Sequence, residues 1–274
     1  MYQLAFLRHD APGMAQEAGW AESKPGVEDI FLASEAVTAA YSGRLQTARD
    51  LSGRAVASAK LAEEKEAAAT YEADGALREG LFGNVGEARQ QAPAALGLST
   101  GRDVQYQAAL ALALAQDATR AQPLAYDLDR RFPEDTMVQF NFLPTTRAQI
   151  DLIHNDFAWA IEALQPAAPY ELGSPNSAIS LALYPVYVRG EAYLAARQGS
   201  EAAAEFQKII DHPGVVVNDP IGALAHLQIG RAHAMQGDIA KAKAAYQDFL
   251  TLWKDADPDI PILIAAKSEY ANLK

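Results

Sequence analysis

The chain has 274 residues, 35 of them acidic and 23 basic, giving a net charge of −12, and it contains no cysteine. A surface of that sign repels phosphate backbones and anionic lipid, so no nucleic-acid or membrane contact is expected of this chain alone. The missing cysteine excludes disulfides, thiol catalysis and Cys-ligated zinc.

The opening "MYQLAFLRHD" lacks the basic flank and cleavage site of a secretory signal. "YQLAFL" instead reads as the last turns of a helix in progress, so a longer parent chain is expected and its compartment is left open. "LRHDAPGMAQEAGWA" reads as a truncated helical hairpin within 1–25. Full hairpins are then expected over 28–61, 64–99, 102–133, 136–172, 177–212 and 220–256. A final helix with polar residues, within 259–274, caps them. The run "AALALALA" (108–115) is far short of the roughly 20 residues a membrane span needs.

The register comes from the last hairpin, "AHAMQGDIAKAKAAYQDFL" (232–250). Gly237-Asp238 reads as a helix stop and start, with Gly supplying a left-handed cap and Asp accepting from free N–H groups. Beyond it Ile239, Ala242, Tyr246, Phe249 and Trp253 share one helical face. A small residue recurs at Ala48, Ala88, Ala121, Ala160, Ala202 and Ala242, paired twelve positions upstream with Ala36, Ala76, Ala109, Ala148, Gly190 and Gly230. Two helices that cross closely need small side chains at the crossing, so the pairs predict one hairpin each.

Two first helices contain a proline, Pro144 and Pro185, and are expected to be extended and kinked there. "QPAAPYELGSPNS" (165–177) reads as a long loop. "DHPGVVVNDP" (211–220) reads as a long connection with a short extended run.

Motifs that carry chemistry are weak. "GLSTG" (97–101) fits a nucleophile elbow, but an Ala-rich helix precedes it where that elbow needs a strand. Ser99 therefore reads as a cap, with esterase chemistry kept as an alternative. "LRHD" (7–10) and "NDFA" (155–158) depart from kinase loop order, and no phosphate-binding glycine loop accompanies them. The five histidines do not form a metal-ligand spacing. Catalytic residues, metals and cofactors are accordingly expected to be none.

Small residues at the hairpin crossings, an aromatic four residues after the second (Tyr246) and the turn at Gly237-Asp238 resemble the tetratricopeptide repeat, as does Pro133 ending "RRFPED". The resemblance implies an all-α, TPR-like α-α superhelical solenoid: one domain over 1–274, of about six and a half hairpins plus the capping helix. No copy has the family's first-helix Trp, and most repeats are near 40 residues long. "RGEAYLAARQGSEAAAEFQKIIDHPG" and "LWKDADPDIPIL" are similar to the C-terminal repeat region of bacterial eukaryotic-like serine/threonine protein kinases, and comparable regions accompany winged-helix regulators.

That resemblance implies a non-catalytic protein–protein interaction or regulatory scaffold, with a protein or peptide in the concave groove lined by first helices. The repeat register puts Asp103, Tyr106, Gln149, Tyr184, Tyr187, Glu191 and Arg231 on that face, with Tyr41 beside it. The alternative is a ligand-sensing effector module of a winged-helix regulator. A discrete pocket around Phe140, Phe142, Tyr184 and Tyr187 would distinguish it. Oligomeric state is left open.

Overall fold

A computed structural model describes residues 1–22, 24, 26–173 and 181–273, which are helical throughout with no strand. The α-helices are α1 (Tyr2–Leu7), α2 (Ala11–Ala21), α3 (Glu28–Tyr41), α4 (Leu45–Leu61), α5 (Lys65–Phe82), α6 (Val85–Leu98), α7 (Arg102–Leu114) and α8 (Ala118–Arg131). They continue as α9 (Leu143–Ile153), α10 (Phe157–Ala163), α11 (Tyr184–Ala195), α12 (Gly199–Asp211), α13 (Pro213–Val216), α14 (Pro220–Met235), α15 (Ile239–Leu252) and α16 (Pro261–Ala271).

The hairpin turns share one backbone device. A left-handed residue ends the first helix at His9, Gly43, Gly83, Gln116, Asn155, Arg197 and Gly237. The next amide donates to the carbonyl five residues back, as in Arg44 N to Ala39 O, Asp117 N to Leu112 O and Asp238 N to His233 O. This bond satisfies a carbonyl that the helix end would otherwise orphan. Asp238 also accepts from Lys241 N at 3.1 Å, starting α15.

Beyond each turn the helices cross at small residues. Ala36, Ala48, Ala76, Ala88, Ala109, Ala121, Ala148 and Ala160 are all buried. The two glycine crossings leave no room for a side chain. A Cβ on Gly190 would stand 2.6 Å from the Phe206 ring, and one on Gly230 would stand 2.7 Å from the Tyr246 ring. An aromatic of the second helix therefore occupies the space the glycine leaves.

The prolines act in two ways. Pro144 is the second residue of α9, which a π-helical turn over Val138–Phe142 extends backwards. Pro185 does not kink a longer helix, because α11 begins at Tyr184 and the ring sits in its first turn, where no N–H partner is lost. The connection 211–220 holds the helical turn α13 instead of an extended run, since Pro213 starts a turn as readily as it ends one. Residues 174–177 of the expected long loop lie outside the described residues.

The first helices pack in sequence: α5 on α7, α7 on α9, α9 on α11, α11 on α14. The array then closes, because α14 also packs on α3 and α16 reaches α5. Trp253 is the keystone of this seam. Its ring lies 5.0 Å from Phe82 and 4.8 Å from Phe249, and its Nε1 donates to Tyr41 O at 3.0 Å. Asp257 N donates to Gly43 O at 3.0 Å, and Asp257 Oδ2 accepts from Gln46 N at 2.8 Å. Gly43 is required twice over: its φ is +71°, and a Cβ there would lie 2.7 Å from the Trp253 ring. One hydrophobic core consequently runs from Ala39 to Ala266.

Two substitutions test this account. Gly230→Trp should destabilise the fold by roughly 3 kcal/mol or more, since overpacking at a crossing cannot relax without separating the hairpin. Trp253→Ala should cost about 3–5 kcal/mol by the usual aromatic truncation scale, and should also raise the radius of gyration as the seam opens. Calorimetry and small-angle scattering read the two effects.

Candidate ligand-binding cavity

Closure changes the fate of the groove. Tyr106, Gln149, Tyr184 and Tyr187 are all buried, at 0–5 % exposure, so they form no accessible groove surface. The register is a property of single helices, whereas closure packs each first helix against others on most of its circumference. Tyr106 stacks on Phe142 with ring centroids 3.9 Å apart. The Gln149 Oε1 is buried without a partner. Tyr41 belongs to the seam: its ring is 5.1 Å from Phe6, and its carbonyl holds Trp253. Asp103 is a half-exposed partner of Arg102 at 2.7 Å.

The other groove residues do come together, as a half-buried network. Gln228 Nε2 donates to Tyr187 Oη at 3.0 Å and to Glu191 Oε1 at 3.2 Å. Arg231 grips Glu269 with two bonds of 2.8 Å, and Tyr246 Oη donates to the same carboxylate at 2.6 Å. Burial pushes the Glu191 carboxyl up to about 7, against the opposing pull of Arg231. These bonds tie α11, α14, α15 and α16 into one body.

Free space lies elsewhere, in an open cleft of about 330 Å³ between α2, α3 and α4 and in a smaller, more enclosed cavity beside α5. α3 and α5 are held apart, with Tyr71 Oη donating to Asp29 Oδ2 at 2.8 Å between them. Between them and the 216–219 segment is a cavity of about 60 Å³. That is several times the ~10–15 Å³ that a single water needs. Ala33 and Val37 of α3 and Val216 form apolar wall; Asp74, Asn218 and Asp219 form the polar part. Gln3 and Ile30, both exposed, stand at its mouth. Phe140, Phe142, Tyr184 and Tyr187 are not in its lining, so the pocket is not where the aromatic cluster suggested it. Phe140 instead stacks on Tyr170 at 4.7 Å, away from Phe142.

The polar side is built by rigid groups. Asn218 Nδ2 donates to Thr38 Oγ1 at 2.9 Å and to Ser34 O at 3.2 Å, fixing the loop to α3. Asp219 caps α14, accepting from Ile221 N at 3.0 Å, and accepts from Tyr184 Oη at 3.3 Å. Val217 just before it has φ +50°, a strained conformation for a β-branched residue. Asp74 keeps 19 % of its side chain accessible and meets Arg78 Nη1 at a long 3.5 Å. Arg78 Nη2 is engaged with Ser52 Oγ at 2.9 Å.

Burial pushes the Asp219 carboxyl up to about 8, and the Asp74 charge adds to this. Burial raises Asp74 as well, with Arg78 opposing. The Tyr184 phenol is held well above its usual value by burial and by the Asp219 and Asp74 charges.

Asp74, Asp219, Tyr71 and Asn218 were not singled out from sequence. Asp219 before Pro220 reads as an ordinary helix cap, which it also is. No sequence signal marks Asp74 as inward-pointing, since it lies two residues from the crossing Ala76 and so on another side of α5.

The remaining motifs resolve simply. Ser99 ends α6 and bonds Glu66, and its Oγ accepts from Gly101 N at 2.9 Å across a turn; the expected Ser/Thr cap of α7 is not formed, because Gly101 holds the N-cap position and no side chain caps it. Among the described residues no group of three or more His, Cys, Asp or Glu could hold a metal ion. No helix among the described residues is long and apolar enough to cross a membrane.

The Asp219 shift sets a pH dependence. Its folded value lies above the unfolded one, so the folded chain keeps a proton that the unfolded chain releases between about pH 4 and 8. Stability therefore falls as pH rises through that window, and Glu191 adds in the same direction. The melting temperature should drop between pH 5 and 9, and Asp219→Asn should visibly flatten that drop in scanning calorimetry.

No protein-family model matches this sequence, and a search of the curated proteins finds no match.

Proposed function

We propose that the chain is a non-catalytic regulatory module of the TPR-like helical-repeat class. It binds a small ligand between α3 and α5, as part of a larger signalling protein of the kind its second half resembles. Repeated hairpins with small crossing residues and a terminal helix support the repeat class. One observation favours a small ligand over a peptide in a concave groove. The aromatic groove residues are sealed in the core, while a discrete cavity with an apolar wall and converging polar groups remains. Ligand sites usually have that mixed character. Peptide binding draws its energy from aromatic anchors that a partner can reach, and Tyr106, Tyr184 and Tyr187 are not reachable while the seam is closed.

A thermal-shift screen of small polar and charged metabolite-like compounds, run beside a peptide array, tests the proposal. At least one compound should raise the melting temperature of the native chain. Ala33→Phe, which fills the apolar wall, should abolish that shift while leaving the helical circular-dichroism spectrum intact. Peptide capture with no small-molecule response would sink the proposal.

A further inference from the structure

The cavity has a charge character that narrows its occupant. Its lining includes two carboxyl groups, Asp74 and Asp219, and no Lys, Arg or His. A buried carboxyl needs a cation or several donors to stay charged, and otherwise holds its proton, as Asp219 does. Asp219 has one backbone donor and one long phenol contact, at 3.0 Å and 3.3 Å. Asp74 has a single 3.5 Å contact to Arg78, a residue outside the lining whose shorter bond goes to Ser52. Asp74 is half-buried and lines the cavity.

A third carboxyl lies just behind. Asp29 is 1 % exposed, gives one oxygen to Tyr71 and leaves its Oδ1 buried with no partner. Tyr71, which lines the cavity, turns its hydroxyl to this carboxylate. The same lining includes Ala33, Val37 and Val216, suited to a short hydrocarbon.

We infer that the cavity binds a small organic ammonium ion, its charged nitrogen between Asp74 and Asp219 and its alkyl part against Ala33, Val37 and Val216. This rests on the ligand-binding reading and assigns the chemistry of that ligand. An inorganic cation suits the site less, because half the wall is apolar and the oxygens do not form a coordination shell. An anion suits it less still, because the lining offers no Lys, Arg or His to pair with one. The volume limits the part that enters to a few heavy atoms, as in a short alkylamine.

Isothermal titration of the full chain with propylammonium and with its neutral isostere 1-propanol tests this. Propylammonium should bind about tenfold or more tightly than 1-propanol, the margin of a charge-assisted hydrogen bond. Asp219→Asn and Asp74→Asn, nearly isosteric, should each remove most of that margin, while Ala33→Phe should remove binding of both compounds. Melting curves and circular dichroism of each variant separate loss of binding from loss of fold.

Equal binding of the two compounds, or a margin that survives both Asn variants, overturns the ammonium assignment. If neutral or anionic compounds from the screen bind and propylammonium does not, that assignment falls while the cavity remains a ligand site. If nothing binds the native chain, both readings fall. The same ammonium group ends a lysine side chain. Markedly tighter binding of Nα-acetyl-lysine N-methylamide than of propylammonium would assign it to a polypeptide and overturn the free-amine source.

Discussion

The seam around Trp253 is the constraint on which the rest of this structure depends. An isolated helical hairpin cannot bury its inner face, and stacking hairpins side by side still leaves a concave surface wet. Here Trp253, Asp257 and α14 return to α3 and the Gly43 turn. The inner faces of α5, α7, α9, α11 and α14 then shield one another, and aromatic and amide side chains end up fully buried. That return also brings the 216–219 segment against α3 and so walls the cavity, whereas Tyr106 and Tyr187 are covered by nearer neighbours too, Phe142 and Phe206.

Much of the fold was legible in the sequence because it depends on local rules. The all-α class followed from Ala-rich 3.6-residue periodicity, and the close approaches at Gly190 and Gly230 followed from residue size. The turn at Gly237-Asp238 declared itself by residue type. The equivalent turns at Gln116 and Arg197 did not, because their left-handed conformation rests on residues that rarely adopt it. Their identity as one device is visible only in the shared backbone bond.

Closure was not legible, and the errors about the site come from it. Register arithmetic says which way a side chain leaves its own helix. It says nothing about whether a distant segment will cover that side, and the contacts joining Tyr41 to Trp253 or Thr38 to Asn218 span most of the chain. The polar residues that matter to the cavity were hidden for a related reason. Asp219 satisfies a helix N-terminus and lines an interior space with the same carboxyl, and the first role fully accounts for the sequence pattern.

Closure also fixes the number of hairpins. An open stack can gain or lose a unit at either end, or in its middle, and remain a stack with a different length. This chain cannot, because inserting or deleting one hairpin would displace Trp253 from Tyr41 and Asp257 from Gly43 by the rise of a whole repeat. Duplication, the ordinary route by which repeat proteins diversify, is thereby shut to it. Change is left to loops and lining side chains, where the substitutions that alter what the interior holds can accumulate without altering its count.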